Sequence, residues 1–116
     1  MKKESKDVGA FVRTYDLILW IIPTLDKFPR RQKFLLADRI QTTLLDILGW
    51  ITEAVYTKDK APALKKVNLG IEKTRHLIRL SRDLKFISVK QYEYISKKLN
   101  EIGSEIGGWL KYTQNR

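Results

Sequence analysis

The sequence has no cysteine and a single histidine, His76. Without cysteine there is no disulfide framework, thiol nucleophile or thiolate metal site, a pattern that fits a reducing, cytoplasmic setting. Glu72 lies four residues before His76 and Asp83 seven after it. One imidazole with one nearby acid makes neither a metal site nor a catalytic dyad, so no metal and no cofactor is expected. Long apolar runs are also missing. The longest, Leu17 to Ile22, is far too short to span a bilayer, and the opening Met-Lys-Lys-Glu-Ser-Lys-Asp lacks the apolar segment of a signal peptide. No Gly-rich phosphate loop occurs, because the glycines between Gly103 and Gly108 sit in a helical pattern and not after a strand. A Glu-x-x-His motif of the ferritin kind is absent, and Ser81, Ser88, Ser96 and Ser104 have no histidine close in sequence. These absences point away from an enzyme and toward a binding protein.

Acid is scarce too. Lys and Arg number 23 against 13 Asp and Glu, a net charge of +10, with a pI near 9.9. Such an excess favours anionic partners: nucleic acid, an acidic protein face or an anionic membrane. At 116 residues the chain is long enough for one domain with one core.

What is present is helical periodicity. After a charged end at residues 1–7, expected to fray, apolar residues fall at 8, 11, 15, 18, 22 and 25 in alternating steps of three and four. Leu19, Trp20 and Ile21 widen that stripe, and Pro23 is expected to loosen the last turn. The second stripe is Ala37, Ile40, Leu44, Ile47, Ile51 and Ala54. After a polar break at 57–62, with Asp59 as N-cap, the third is Leu64, Val67, Ile71, Thr74 and Ile78, joined by Leu77, Leu80 and Leu84. Ser88 and Gln91 form a capping box, with Ile87 and Tyr92 as its hydrophobic staple. The fourth stripe is then Tyr92, Ile95, Leu99, Ile102, Ile106 and Trp109. Helices are therefore predicted over about 8–26, 29–56, 63–85 and 89–112. With short polar connections and no strand signal, the pattern predicts an all-α, antiparallel up-down-up-down four-helix bundle. Membrane binding is disfavoured, because the bundle needs each apolar face.

Two regions concentrate positive charge. The corner between the first two helices holds Lys27, Arg30, Arg31 and Lys33 around Pro29, which is expected at the first helical position. Phe28 and Phe34 are expected to anchor that corner to the core. The third helix carries Lys65, Lys66, Lys73, Arg75, Arg79, Arg82 and Lys85 against Glu72 and Asp83, a net of five. Cations of this density suit phosphate contact. The alternative is a solvated helix face. Aromatic residues on the stripes are assigned to packing, and Tyr94 is the best exposed candidate for base stacking. Gly103, Gly107 and Gly108 interrupt the fourth helix at about 1 kcal/mol each against Ala. Close packing within the bundle or contact between subunits would account for them. Together with Trp20 and Ile21 they form the candidate oligomer interface.

These residues also carry a family resemblance. Tyr15-Asp16-Leu17-x-x-Trp20-x-Ile22-Pro23, Lys27-Phe28-Pro29-Arg30, Lys33-Phe34 and Asp38-Arg39-Ile40 resemble the accessory variability determinant (Avd) proteins of diversity-generating retroelements. So do Leu77-x-Arg79-Leu80-x-x-Asp83-Leu84, Ile87-Ser88-x-x-Gln91-Tyr92 and Ile102-Gly103-x-x-x-Gly107-Gly108-Trp109. The match runs in order over nearly the whole chain. The resemblance implies a non-enzymatic four-helix bundle that assembles as a ring-shaped homopentamer. It also implies association with the element's error-prone reverse transcriptase and with RNA and DNA during mutagenic copying of a template. The alternative relative is the small four-helix bundle encoded in intervening sequences of bacterial 23S ribosomal RNA, which would make this a ribosome-linked protein.

Overall fold

The computed structural model describes the backbone of residues 2–114 and the side chains of residues 9–113. Four helices account for nearly all of it, and no strand occurs among the described residues. Helix α1 spans Lys2–Leu25. Helix α2 comprises Arg30–Gln32, a π-turn over Lys33–Ala37 and a long segment over Asp38–Tyr56. Helix α3 spans Ala61–Asp83 and α4 spans Val89–Gln114. The molecule measures 47 × 23 × 20 Å. Helices adjacent in sequence pack together, and α1 also packs on α4, so α2 and α4 occupy opposite corners of a helical bundle.

Three of the four predicted stripes coincide with the core. Ile40, Leu44, Ile47, Ile51 and Ala54 are buried on α2, and Leu64, Val67, Ile71, Thr74 and Ile78 on α3. On α4 the buried residues are Ile95, Leu99, Ile102, Ile106 and Trp109, with Tyr92 partly buried against them. Thr14, Thr74 and Ser81 are buried as well, each donating its hydroxyl proton to the carbonyl one turn back, on Ala10, Gly70 and Leu77. That internal satisfaction removes most of the cost of burying them. The Trp109 Nε1 proton has no acceptor among the described residues.

Helix α1 departs from its predicted register. Its buried residues are Ala10, Thr14, Leu17, Ile18, Ile21 and Leu25, whereas Phe11 and Ile22 are half-buried and Tyr15 is exposed. The Val8 side chain lies outside the described residues. The helix is apolar on two sides, and periodicity alone does not say which side meets the core. The helix also starts earlier than expected, at Lys2, and continues through Pro23 to Leu25. Leu80 on α3 and Leu84 at its C-cap are about half exposed and do not join the seam.

The helix ends use different chemistry from case to case. Ser88 Oγ accepts from the Gln91 amide at 3.0 Å while Gln91 Oε1 accepts from the Ser88 amide at 2.9 Å, so the predicted capping box is present. At the start of α3 the N-cap is Lys60, not Asp59, and no side chain caps it. Lys60 is buried and turns the other way. Its ammonium donates to the carbonyls of Ala54 at 2.7 Å and Thr57 at 2.9 Å, closing the end of α2. The α3 terminus is a Schellman motif, with the Phe86 amide donating to Ser81 and the Lys85 amide to Arg82. Lys85 takes the left-handed position at φ 66°, where glycine is usual.

Candidate nucleic-acid and partner surfaces

The basic corner forms as a cap around Pro29. That residue occupies the N-cap and not the first helical position, with φ −53° and ψ 143°. Its carbonyl accepts from the amides of Gln32 at 2.8 Å and Lys33 at 3.0 Å. Lys27, Arg30 and Arg31 are exposed and Lys33 is half-exposed. None of the four enters an ion pair among the described residues. Phe28 is buried and its ring packs 5.5 Å from that of Phe86 in the third connection. Phe34 does not anchor the corner: it is 72% exposed, and Leu35 beside it 66%. The π-turn is the reason. The Asp38 amide bonds to the Lys33 carbonyl five residues back, and the wider turn rotates Phe34 out of the α-helical phase that would have placed it inside.

The cations of α3 do not form one patch. Arg75 hydrogen-bonds to Asn100 on α4 and pairs with Glu72 at 3.1 Å. Arg82 pairs with Asp83 at 2.8 Å, and its guanidinium lies 4.4 Å from the ring centre of Tyr92 on α4. The hydrogen bond to Asp83, with that carboxylate's charge, raises the Arg82 pKa further. These two arginines therefore face the α3–α4 groove and spend part of their charge there. The two acids of the helix are both consumed in this way. Lys65, Lys66, Lys73 and Arg79 remain exposed and outside any ion pair among the described residues. Lys66 and Lys73 flank Gly70 at helical spacing. A Cβ at Gly70 would lie 2.8 Å from Ile47 Cγ1 and 3.2 Å from Trp50, so those lysines border the α2–α3 contact.

The candidate interface residues also separate. Ile21 is wholly buried in the core and is not available to a second subunit. Trp20 is half-buried, its ring 4.5 Å from Tyr94 of α4. Tyr94 is thus partly covered by Trp20 and also by Lys98, whose ammonium is 5.3 Å from its ring centre. Gly103 has Arg75 at 3.6 Å and Ile71 at 4.0 Å from a notional Cβ, so ordinary packing within the bundle accounts for it. A Cβ at Gly107 would meet no atom of another element within 4 Å among the described residues, contrary to the expected close approach within the bundle. Gly108 is half-buried.

Sequence pattern did not single out Arg13. It joins α1 to α4 by donating to Glu105 through Nε and to Glu101 through Nη1 at 3.1 Å. The hydrogen bond to Glu105 and the charges of both acids push the Arg13 pKa up. A salt bridge between distant helices leaves no signature of fixed spacing, whereas pairs within one helix do. His76 is exposed, and no group of three or more potential metal ligands occurs among the described residues. No helix among them is long and apolar enough to cross a membrane.

Residues 11–113 match a family model described as bAvd-like. No curated protein matches the chain.

Proposed function

Since the chain belongs to the bAvd-like family, we propose that it is an accessory protein of a diversity-generating retroelement. In this role it binds the element's reverse transcriptase together with RNA and DNA, and carries no catalytic centre of its own. The family is one of accessory, non-catalytic proteins, which supports the reading directly. The observation that carries the binding role is the exposed charge of Lys27, Arg30 and Arg31 at the corner and of Lys65, Lys66, Lys73 and Arg79 on α3, none of it in an ion pair among the described residues. Surface ion pairs are worth only about 0–1 kcal/mol, so stability gives no reason to keep such an excess. Phosphate contact does, because each neutralised phosphate releases counterions.

The helices alternate up and down in this reading. The contact between Phe28 in the first connection and Phe86 in the third supports that order, since alternation brings both to one end. We further infer a homo-oligomer, pentameric as in the Avd rings, in which weak contacts from each copy add through effective concentration. The test is titration of template-like RNA with the chain at several salt concentrations. Affinity that falls steeply with salt is expected, and affinity absent even at low salt would overturn the nucleic-acid role.

A further inference from the structure

Large apolar side chains stand among cations at the corner that opens α2. Phe34 is 72% and Leu35 66% exposed. Arg30 and Arg31 lie four and three residues before Phe34, one helical turn away, and Lys33 adjoins it. Residues 26–39 hold five cations, of which Arg39 is the last, against Asp26 and Asp38. None of these seven enters an ion pair among the described residues. An exposed phenylalanine forgoes the stabilisation of burial, and the π-turn that rotates it outward is a feature frequent at functional sites. Other exposed rings lack this setting. Tyr94 is partly covered by Trp20 and Lys98. Tyr56 is 86% exposed but stands at the far end of α2, among Glu53, Lys58 and Asp59.

We propose that the corner is a single-strand site, in which the ring of Phe34 stacks on an unpaired base while Arg30, Arg31 and Lys33 hold the phosphates beside it. The assignment rests on the nucleic-acid reading above and narrows it to unpaired RNA or DNA. Cations alone do not separate a duplex from a single strand, since both present phosphate. A ring does. Inside a duplex each base is paired and stacked between its neighbours, so its face is closed to a side chain. In a single strand that face is open. Every base has such a face, so the contact is indifferent to sequence. Leu35 extends the apolar surface beside the ring. Buried Phe28 fixes the turn against Phe86, which also puts exposed Lys85 and Lys90 at this end of the bundle and extends the positive surface. A lipid surface suits the corner less well, because two apolar side chains give far less area than the continuous apolar face of a helix that lies in a membrane.

The test is fluorescence anisotropy of the full chain with a labelled oligouridylate, which forms no duplex, and with a blunt RNA duplex of the same length. Circular dichroism checks folding and light scattering checks mass. Phe34→Ala is expected to weaken single-strand binding about 5-fold to 150-fold, the worth of one stacked base. Duplex affinity and the salt slope should not move, because the ring carries no charge. Phe34→Trp should keep the affinity, whereas Phe34→Leu, apolar without a π-face, should not. Arg30→Gln with Arg31→Gln should weaken both probes and make the slope shallower. Unchanged single-strand binding by Phe34→Ala, or an equal loss on the duplex, would overturn the stacking site while leaving the nucleic-acid role standing. A fall in the mass of the Phe34→Ala chain would assign the ring to a contact between copies and overturn it too. Wild-type chain that binds neither probe at low salt would overturn the nucleic-acid role and the stacking site together.

Discussion

The rings of Phe28 and Phe86 meet with centroids 5.5 Å apart and planes inclined at 51°, tying the first connection of the bundle to the third. Phe28 is buried at the base of the basic corner, so it fixes the turn that carries Lys27, Arg30 and Arg31. Phe28→Ala is expected to cost about 3–5 kcal/mol, the range for emptying a buried phenylalanine site. Phe34→Ala, six residues on, should change stability by no more than about 0.5 kcal/mol, because the ring is already in solvent. Thermal melts of the two variants side by side check both values. Equal losses would return Phe34 to the core.

Lys60 is a buried ammonium held by backbone carbonyls at the end of α2. Lys60→Met keeps the aliphatic stem and removes the charged donors. Hydrogen bonds to charged groups contribute about 1.5–3 kcal/mol, and the freed carbonyls add a desolvation cost, so a loss of about 2 kcal/mol is expected in denaturant unfolding. An unaltered midpoint would mean that water replaces the ammonium without penalty.

Lys85→Gly should stabilise the protein. A residue with a Cβ in the left-handed region carries a cost of about 1 kcal/mol, which glycine avoids. The Schellman hydrogen bonds do not involve the Lys85 side chain and should persist. A rise in Tm of a few degrees is the expected result, and a fall would show that the lysine side chain contributes to the end of α3.

The cations of α3 should divide by function. Replacing Lys65, Lys66, Lys73 and Arg79 together with Gln should leave helical circular dichroism intact and weaken RNA binding. The slope of log affinity against log salt should become shallower by about 0.7–0.9 per lost phosphate contact. Arg82→Gln should behave differently, lowering the melting temperature through its lost stack on Tyr92. If the fourfold variant binds RNA with unchanged slope, these cations serve solvation alone.

Much of the fold could be read from spacing, because α2, α3 and α4 each have one apolar side. Ile40 through Ala54, Leu64 through Ile78 and Ile95 through Trp109 fall where a 3.6-residue period puts them. The capping box was legible for a similar reason, since Ser88 and Gln91 satisfy each other locally. The register of α1 was not, because Phe11 and Tyr15 compete with Leu17 and Ile21 for the same claim on the core. Phe34 was misplaced because one π-turn shifts the phase, and no residue type announces such a turn. At the candidate surfaces, composition located the cations but not their partners. Glu72, Asp83, Asn100 and Tyr92 draw Arg75 and Arg82 away from a common patch, and two of those four belong to another helix.

The packing of α1 along α4, with Arg13 bound to Glu101 and Glu105, makes the set of helix contacts a closed circuit. Three of its four edges are bridged by short connections and the fourth by side chains alone. The order of helices along the chain is therefore one of several ways to cut the same circle. A circular permutant that joins α4 to α1 and opens instead at the exposed Lys58–Asp59 turn would contain every core contact described above. Fusions or tags placed at that turn would test how far the hold of Lys60 on the Ala54 and Thr57 carbonyls depends on the chain being continuous there.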